Sequence, residues 1–273
     1  MRPLKYQQKF YACFFALLCL LNVGSSYAAT KHLSVPDTPR NVSAETAAWH
    51  VSIAPYIWAM NMNGRIQTGS QTMHLTQTFG EILQDFQSGG MLFIDAKKNN
   101  LGFFANALYS VLEQKTTVDS LSVRSHTDFG IFSAGASYTV FNKTLADQVS
   151  TISIDPYAGA RYTLNNTTLT VATLSTTNNQ QWTDPIVGLR VQYDPTRQWA
   201  MIVAGDVGGT NLGNDRSYNT QGFVGYRLQS FKNTTLYAGY RLLYQRYKTG
   251  SGSERFVWDM KLFGPVAGVT IDF

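Results

Sequence analysis

The sequence predicts an all-β fold, an antiparallel transmembrane β-barrel. Three observations carry this: a leader laid out as an export signal, short segments that alternate apolar and polar residues, and a final apolar row stepping by two to Phe273.

In the leader, Arg2, Lys5 and Lys9 precede an apolar run from Phe10 to Val23, and small residues follow from Gly24 to Ala29. The run is shorter than the roughly 20 residues a membrane-spanning helix needs. A basic start, a short apolar centre and a small-residue site make a secretory signal, with cleavage expected after Ala28 or Ala29. Residues 1–29 are therefore expected to be the signal peptide. Residues 30–48, polar and holding Pro36 and Pro39, read as a flexible periplasmic lead, and 49–273 as the barrel. Cys13 and Cys19 both fall in the leader, so a disulfide scaffold, a thiolate metal site and a cysteine nucleophile are excluded from the processed chain. Removing Arg2, Lys5 and Lys9 takes the formal charge from +5 to +2. The basicity belongs partly to the leader and does not indicate nucleic-acid binding.

The alternating segments come next. From Asp184 to Tyr193, one face reads Val187, Leu189, Val191, Tyr193 and the other Asp184, Gly188, Arg190, Gln192. Ile152–Tyr162, Trp199–Asp206, Thr220–Gln229 and Leu236–Tyr244 repeat the scheme, with Asp155, Arg161, Asp206, Arg227 and Arg241 on the polar face. Successive strand residues point to opposite sides, so each segment has one apolar and one polar face. A soluble sandwich would turn the apolar face inward; a membrane barrel turns it to lipid. The aromatics decide. Tyr109, Tyr138, Tyr162, Tyr193, Trp199, Tyr226, Tyr240 and Tyr244 fall near segment ends on the apolar faces, where interfacial girdles belong.

The final row, Phe263, Pro265, Ala267, Val269, Ile271 and Phe273, is apolar at every second position. Ending on an aromatic, it has the form of the signal read by the barrel-assembly machinery, an expected partner alongside outer-membrane lipid. Strands are expected near 49–60, 63–73, 90–98, 101–113, 122–140, 151–163, 167–176, 183–194, 198–207, 217–229, 234–247 and 255–273. That is about twelve, an even number. Ten is the alternative count, because Asn99-Asn100 would make an unusually short outer loop.

One stretch breaks the pattern. Across 76–88, Phe79, Ile82, Leu83 and Phe86 recur at the spacing of an amphipathic helix, with Thr78 as cap and Glu81 three residues later. Such a helix can lie against the periplasmic mouth or enter the lumen as a plug.

Gly-x-Arg occurs four times, ending at Arg161, Arg190, Arg227 and Arg241, and in each the glycine and arginine share the inward face. Asp95, Asp155, Asp184 and Asp206 are expected to face them, the glycines leaving room for the long side chains. The set is either a constriction biasing passage toward small anionic solutes or a charge network filling a narrow barrel. His32, His50, His74 and His126 form no pair three or four residues apart, so no metal site is expected. Ser125 and His126, near Asp128, would point to opposite faces of a strand and do not converge as catalytic groups must. No cofactor motif is present and no enzyme is expected.

Trp49 to Gly64 with Pro55-Tyr56-Ile57-Trp58, then Phe79-Gly80-Glu81-Ile82-Leu83, Gly90-Met91, and the close Gly264-Pro265-Val266-Ala267-Gly268 with Phe273 resemble a poorly characterised, porin-like family of bacterial outer-membrane β-barrels. The resemblance spans 49–273 and implies the fold and the outer membrane; it brings no catalytic residues. Together these readings lead to a porin-like passive channel with an Arg/Asp-lined lumen, or a non-conducting structural or surface-interaction barrel.

Overall fold

The computed structural model describes residues 48–273 apart from 119–120, 172–173, 212–214 and 232; the expected signal peptide and nearly all of the lead lie outside them. The strands are β1 (His50–Trp58), β2 (Asn61–Thr68), β3 (Gln71–Gln77), β4 (Phe86–Lys98), β5 (Leu101–Val118), β6 (Leu121–Tyr138) and β7 (Phe141–Thr144). They continue as β8 (Thr151–Val171), β9 (Leu174–Asp194), β10 (Trp199–Asn211), β11 (Asp215–Arg227), β12 (Thr234–Thr249) and β13 (Phe256–Asp272). A single α-helix, α1 (Phe79–Asp85), separates β3 from β4 among the described residues. All pairing is antiparallel, and β13 returns to β1, closing a barrel of 10 staves.

The count is ten because two expected turns lie inside staves. Trp58 pairs with Val266 and Asn61 with Phe263 at an unchanged offset, so β1 and β2 form one stave along β13. The reversal comes at Gly69, whose φ of 59° suits a residue without Cβ. Likewise β8 runs unbroken through Asn165, Asn166 and Thr167. The Asn165 to Thr167 stretch reads as a turn because strand segments beyond the lipid carry polar residues on both faces, whereas Asn61 reads as one from its residue type alone. With ten staves, Asn99-Asn100 becomes a tight turn at the end where both β1 begins and β13 finishes, the periplasmic end of such barrels.

The second stave is interrupted. Pro55 pairs with Leu92 and Met62 with Gln77, so a short stretch of the first stave faces a much longer one. α1 takes up the excess, sitting above the last β4–β5 pair, Phe86 with Leu112. Its capping box forms as the sequence predicts: Thr78 N–H donates to Glu81 Oε2 at 2.7 Å and Thr78 Oγ1 accepts from Glu81 N–H at 3.4 Å. Its location differs from the periplasmic expectation. The helix is built into the wall on the half of the barrel away from the termini, because the staves on either side of it run to and from that end.

The far rim is lopsided. β8 and β9 each have 21 residues, against 13 for β10 and β11. A tilted spanning strand needs roughly 9–11, so β5, β6, β8 and β9 continue beyond the membrane as a four-stranded wall.

Outside, the faces alternate as expected. Ile57, Phe103, Val187, Leu189, Met201, Val203, Val224 and Leu236 are exposed, an apolar area too continuous for a soluble surface. Tyr138, Trp199, Tyr226 and Phe273 border it near the periplasmic end, and Tyr109 and Tyr218 near the other.

The β1–β13 register predicts that cysteines at Ile57 and Ala267, which are direct partners, form a disulfide on oxidation. Cysteines at 57 and 263 should not. Gel mobility before and after reduction reads the result.

Candidate functional site

The inward residues fill three successive layers. Nearest the periplasm is a cavity of about 330 Å³ whose lining includes Tyr56, Asp95, Lys97, Arg190, Arg227, Tyr237 and Arg241. Most of its charges are paired. Arg190 Nη1 lies 3.1 Å from Asp95 Oδ2, across the lumen from β9 to β4, and Lys97 Nζ lies 2.6 Å from Asp155 Oδ2. Asp155 also accepts from Thr139 Oγ1 at 2.6 Å. Arg227 Nη2 lies 2.6 Å from Asp194 Oδ2.

Above the cavity is a buried polar layer. Arg161, 1% exposed, reaches Asp206 with Nη2 2.6 Å from Oδ1 and donates to Ser217 Oγ at 3.2 Å. Asp206 also accepts from Tyr157 Oη at 3.1 Å and Asn219 Nδ2 at 2.8 Å. Arg241 Nε donates to Asn219 Oδ1 at 3.0 Å, and its guanidinium stacks 4.7 Å from the Trp58 ring, a cation–π contact. Gln245 donates to Thr163 across the lumen at 2.8 Å.

The third layer is apolar. Trp58, Met60, Met62, Leu108, Phe129, Ile131, Leu243, Met260, Leu262 and Trp258 form one buried cluster, to which α1 contributes Ile82. Trp182 stacks on Tyr247 with ring centroids 4.7 Å apart. Leu243, Met260 and Leu262 are 0% exposed, so this layer is a packed core inside the barrel.

Each residue singled out from sequence has a defined place. Arg190 with Asp95 and Arg161 with Asp206 meet as Arg–Asp pairs. Asp155 pairs with Lys97 and Arg227 with Asp194 instead, while buried Asp184 stands directly opposite Arg161 in register. Arg241 has no carboxylate within 4.0 Å among the described residues. The glycines serve neighbours other than the arginines. A Cβ at Gly188 would lie 2.4 Å from the Tyr157 ring, and one at Gly225 would lie 2.3 Å from that of Tyr237. Of the helical set, Ile82 is buried, Phe79 and Leu83 are half-buried, and Phe86 opens β4. Val269, Ile271 and Phe273 keep the outward parity of the final row.

Sequence reasoning missed Lys97, Asp194, Tyr157, Asn219 and the three tryptophans of the inner core. Parity continued along β1 into β2 places Trp58 inward, so a signal for it existed; nothing local specified partners several staves away.

Above the membrane belt, the outer face of β5 and β6 holds a tight ion cluster. Glu113 Oε1 lies 2.8 Å from both Lys115 Nζ and Arg124 Nη2. Their hydrogen bonds hold its carboxyl well below the usual range, at about 2. Ser125 and His126 alternate faces, and His126 stands 3.9 Å from Asp128. Among the described residues no group of three His, Asp or Glu side chains could hold a metal ion.

A closed antiparallel barrel, apolar outside and charged within, with aromatics at both borders, defines an integral outer-membrane β-barrel. No family model and no curated protein matches the chain. Among solved structures, the outer membrane protease OmpT from Escherichia coli is 8% identical with a TM-score of 0.48, over 84% of this chain and 98% of that one. Neisserial surface protein A is 15% identical with a TM-score of 0.31, over 84% and 100%. The anion-selective porin from Comamonas acidovorans is 9% identical with a TM-score of 0.27, over 83% and 100%. The assignment to the class rests on the barrel's own geometry.

Arg161→Met, which leaves Asp206 without its cation, should destabilise the barrel by about 3–5 kcal/mol. Adding Asp206→Leu should recover much of that loss, measured by denaturant unfolding in detergent.

Glu113 is a depressed carboxylate, so its contribution is complete above its unfolded pKa and lost as pH falls toward about 2. The protection of β5–β6 wall amides, taken relative to the intrinsic exchange rate at each pH, should therefore fall between pH 5 and 2 in the native protein. In Glu113→Gln that protection should be lower already at pH 6 and flatter over the same window.

Proposed function

We propose that this protein is a non-conducting outer-membrane barrel, a membrane-embedded base for the extracellular wall of β5, β6, β8 and β9. One observation carries the reading: the lumen is crossed by a buried polar layer and then a dry apolar one, with Trp58 and Trp258 each 1% exposed. A pathway for solutes needs continuous water, and three residues with no exposed surface stand across it. The wall beyond is rich in Thr, Asn and Gln from Asn165 to Gln181, a neutral hydrogen-bonding surface suited to contacts outside the cell. In this reading the row ending at Phe273 is recognised by the barrel-assembly machinery during insertion.

A second reading is a porin-like channel for small anions, entered from the cavity holding Arg190, Arg227 and Arg241. Its support is the set of buried polar atoms without hydrogen-bond partners at the seal: Nε1 of Trp58, Trp182 and Trp258, Nε of Arg161 and Oε1 of Gln245. Each unpaired group costs on the order of 1–3 kcal/mol, which favours rearrangement of the seal.

Planar-bilayer recording on protein purified from membranes separates the two. The expected result is silence from the native protein and small steps from Trp58→Ala/Trp258→Ala, whose seal is thinned. Stable steps from the native protein, with an anion preference reduced by Arg190→Glu, would replace the first reading with the second.

A further inference from the structure

On the outer surface, β2, β11, β12 and β13 bring five cations around one carboxylate. Arg65, Arg216, Arg246, Lys248 and Lys261 share the outward parity of their strands with Asp259. Asp259 is fully engaged: Oδ2 lies 3.2 Å from Arg65 Nη2 and 3.9 Å from Arg246 Nε, and Oδ1 accepts from Tyr244 Oη at 2.9 Å. Arg216, Lys248 and Lys261 have no carboxylate within 4.0 Å among the described residues. Register also sets Arg216 directly opposite Arg246, and like charges so opposed repel. Nε of each is buried without a hydrogen-bond partner. On β5 and β6 the outward cluster sets two cations, Lys115 and Arg124, on the one carboxylate of Glu113, a smaller excess than the five cations around Asp259.

The patch lies at the membrane border. Immediately toward the barrel's middle, Tyr218 stacks with Tyr244 at 6.1 Å, and the outward face continues as Val224, Leu242 and Phe263, which contact lipid tails. A ligand here meets a cationic rim on top of an apolar wall.

We propose that this face binds a phosphate-bearing lipid of the outer leaflet, its phosphate between Arg216 and Arg246 and its acyl chains along Leu242 and Val224. A phosphate accepts several charge-assisted hydrogen bonds at once and relieves the repulsion of the opposed arginines. The apolar surface directly below makes the occupant a lipid, since a free ion would use only the rim. Basic clusters at a membrane border recognise anionic headgroups by the same electrostatics.

The test is thermal unfolding of the full-length protein, delipidated in neutral detergent, with three probes: bisphosphorylated lipid A, the same lipid dephosphorylated, and inorganic phosphate. Lipid A should raise the midpoint by about 5 °C or more at saturating concentration, and the other two by much less. Arg216→Gln/Arg246→Gln should abolish the difference, while Arg216→Lys/Arg246→Lys keeps part of it. An equal rise with the dephosphorylated lipid would reduce the face to ordinary apolar contact and overturn the proposal. An equal rise with inorganic phosphate would make it an ion site and overturn it too, as would an unchanged response in the glutamine variant. Should that variant fail to fold, the three probes on the native protein decide alone.

Discussion

The structure depends on closure of the β1–β13 seam. In hydrocarbon no water is available to backbone N–H and C=O groups, so a spanning sheet must leave no edge. The first stave meets the last at one offset from Ser52 to Thr68, which pairs the edges that the two strands turn toward each other. Once the seam is fixed, strand parity sends every residue either to lipid or to the lumen. An open sheet would have left the apolar outer faces and the charged inner ones without their separate surroundings.

Closure with ten staves also makes the lumen narrow enough for side chains to meet across it. Arg190 reaches Asp95 from the opposite wall, and Gln245 reaches Thr163. Charges in such an interior are tolerated because they are paired or hydrogen-bonded, and the apolar cluster above them removes solvent from the middle of the barrel. The cavity on the periplasmic side remains where the inward residues are small: Ser52, Ala54 and Gly268. Filling and cavity are thus two consequences of one barrel radius, set by stave number and stagger.

Much of the fold was legible because the alternation of strand faces is local. The lipid-facing sets in β8 to β13, the outward tyrosines and the row to Phe273 follow from counting in twos. The capping box of α1 was legible for a similar reason: Thr78 and Glu81 are three residues apart and need nothing distant. Strand number was less so. Asn61 to Gly64 and Asn165 to Thr167 have turn-like composition, yet they lie within staves, held there by continuous pairing to β13 and to β6 and β9. In the lumen, the inward direction of Arg161, Arg190, Arg227 and Arg241 was readable, but their partners were readable only in part. Asp194 and Lys97 complete two of the ion pairs and lie outside the recurrent motif.

The sequence by itself determined which residues share a face, because side-chain direction in a strand alternates with a fixed period of two. It thereby determined that the chain is apolar outside and charged within. Only the tertiary structure decided which inward residues meet, how far α1 sits from the periplasm and whether the lumen is filled. Those depend on the number of staves and on their stagger around a closed ring, and both are set by pairing between strands as distant in the chain as β1 and β13.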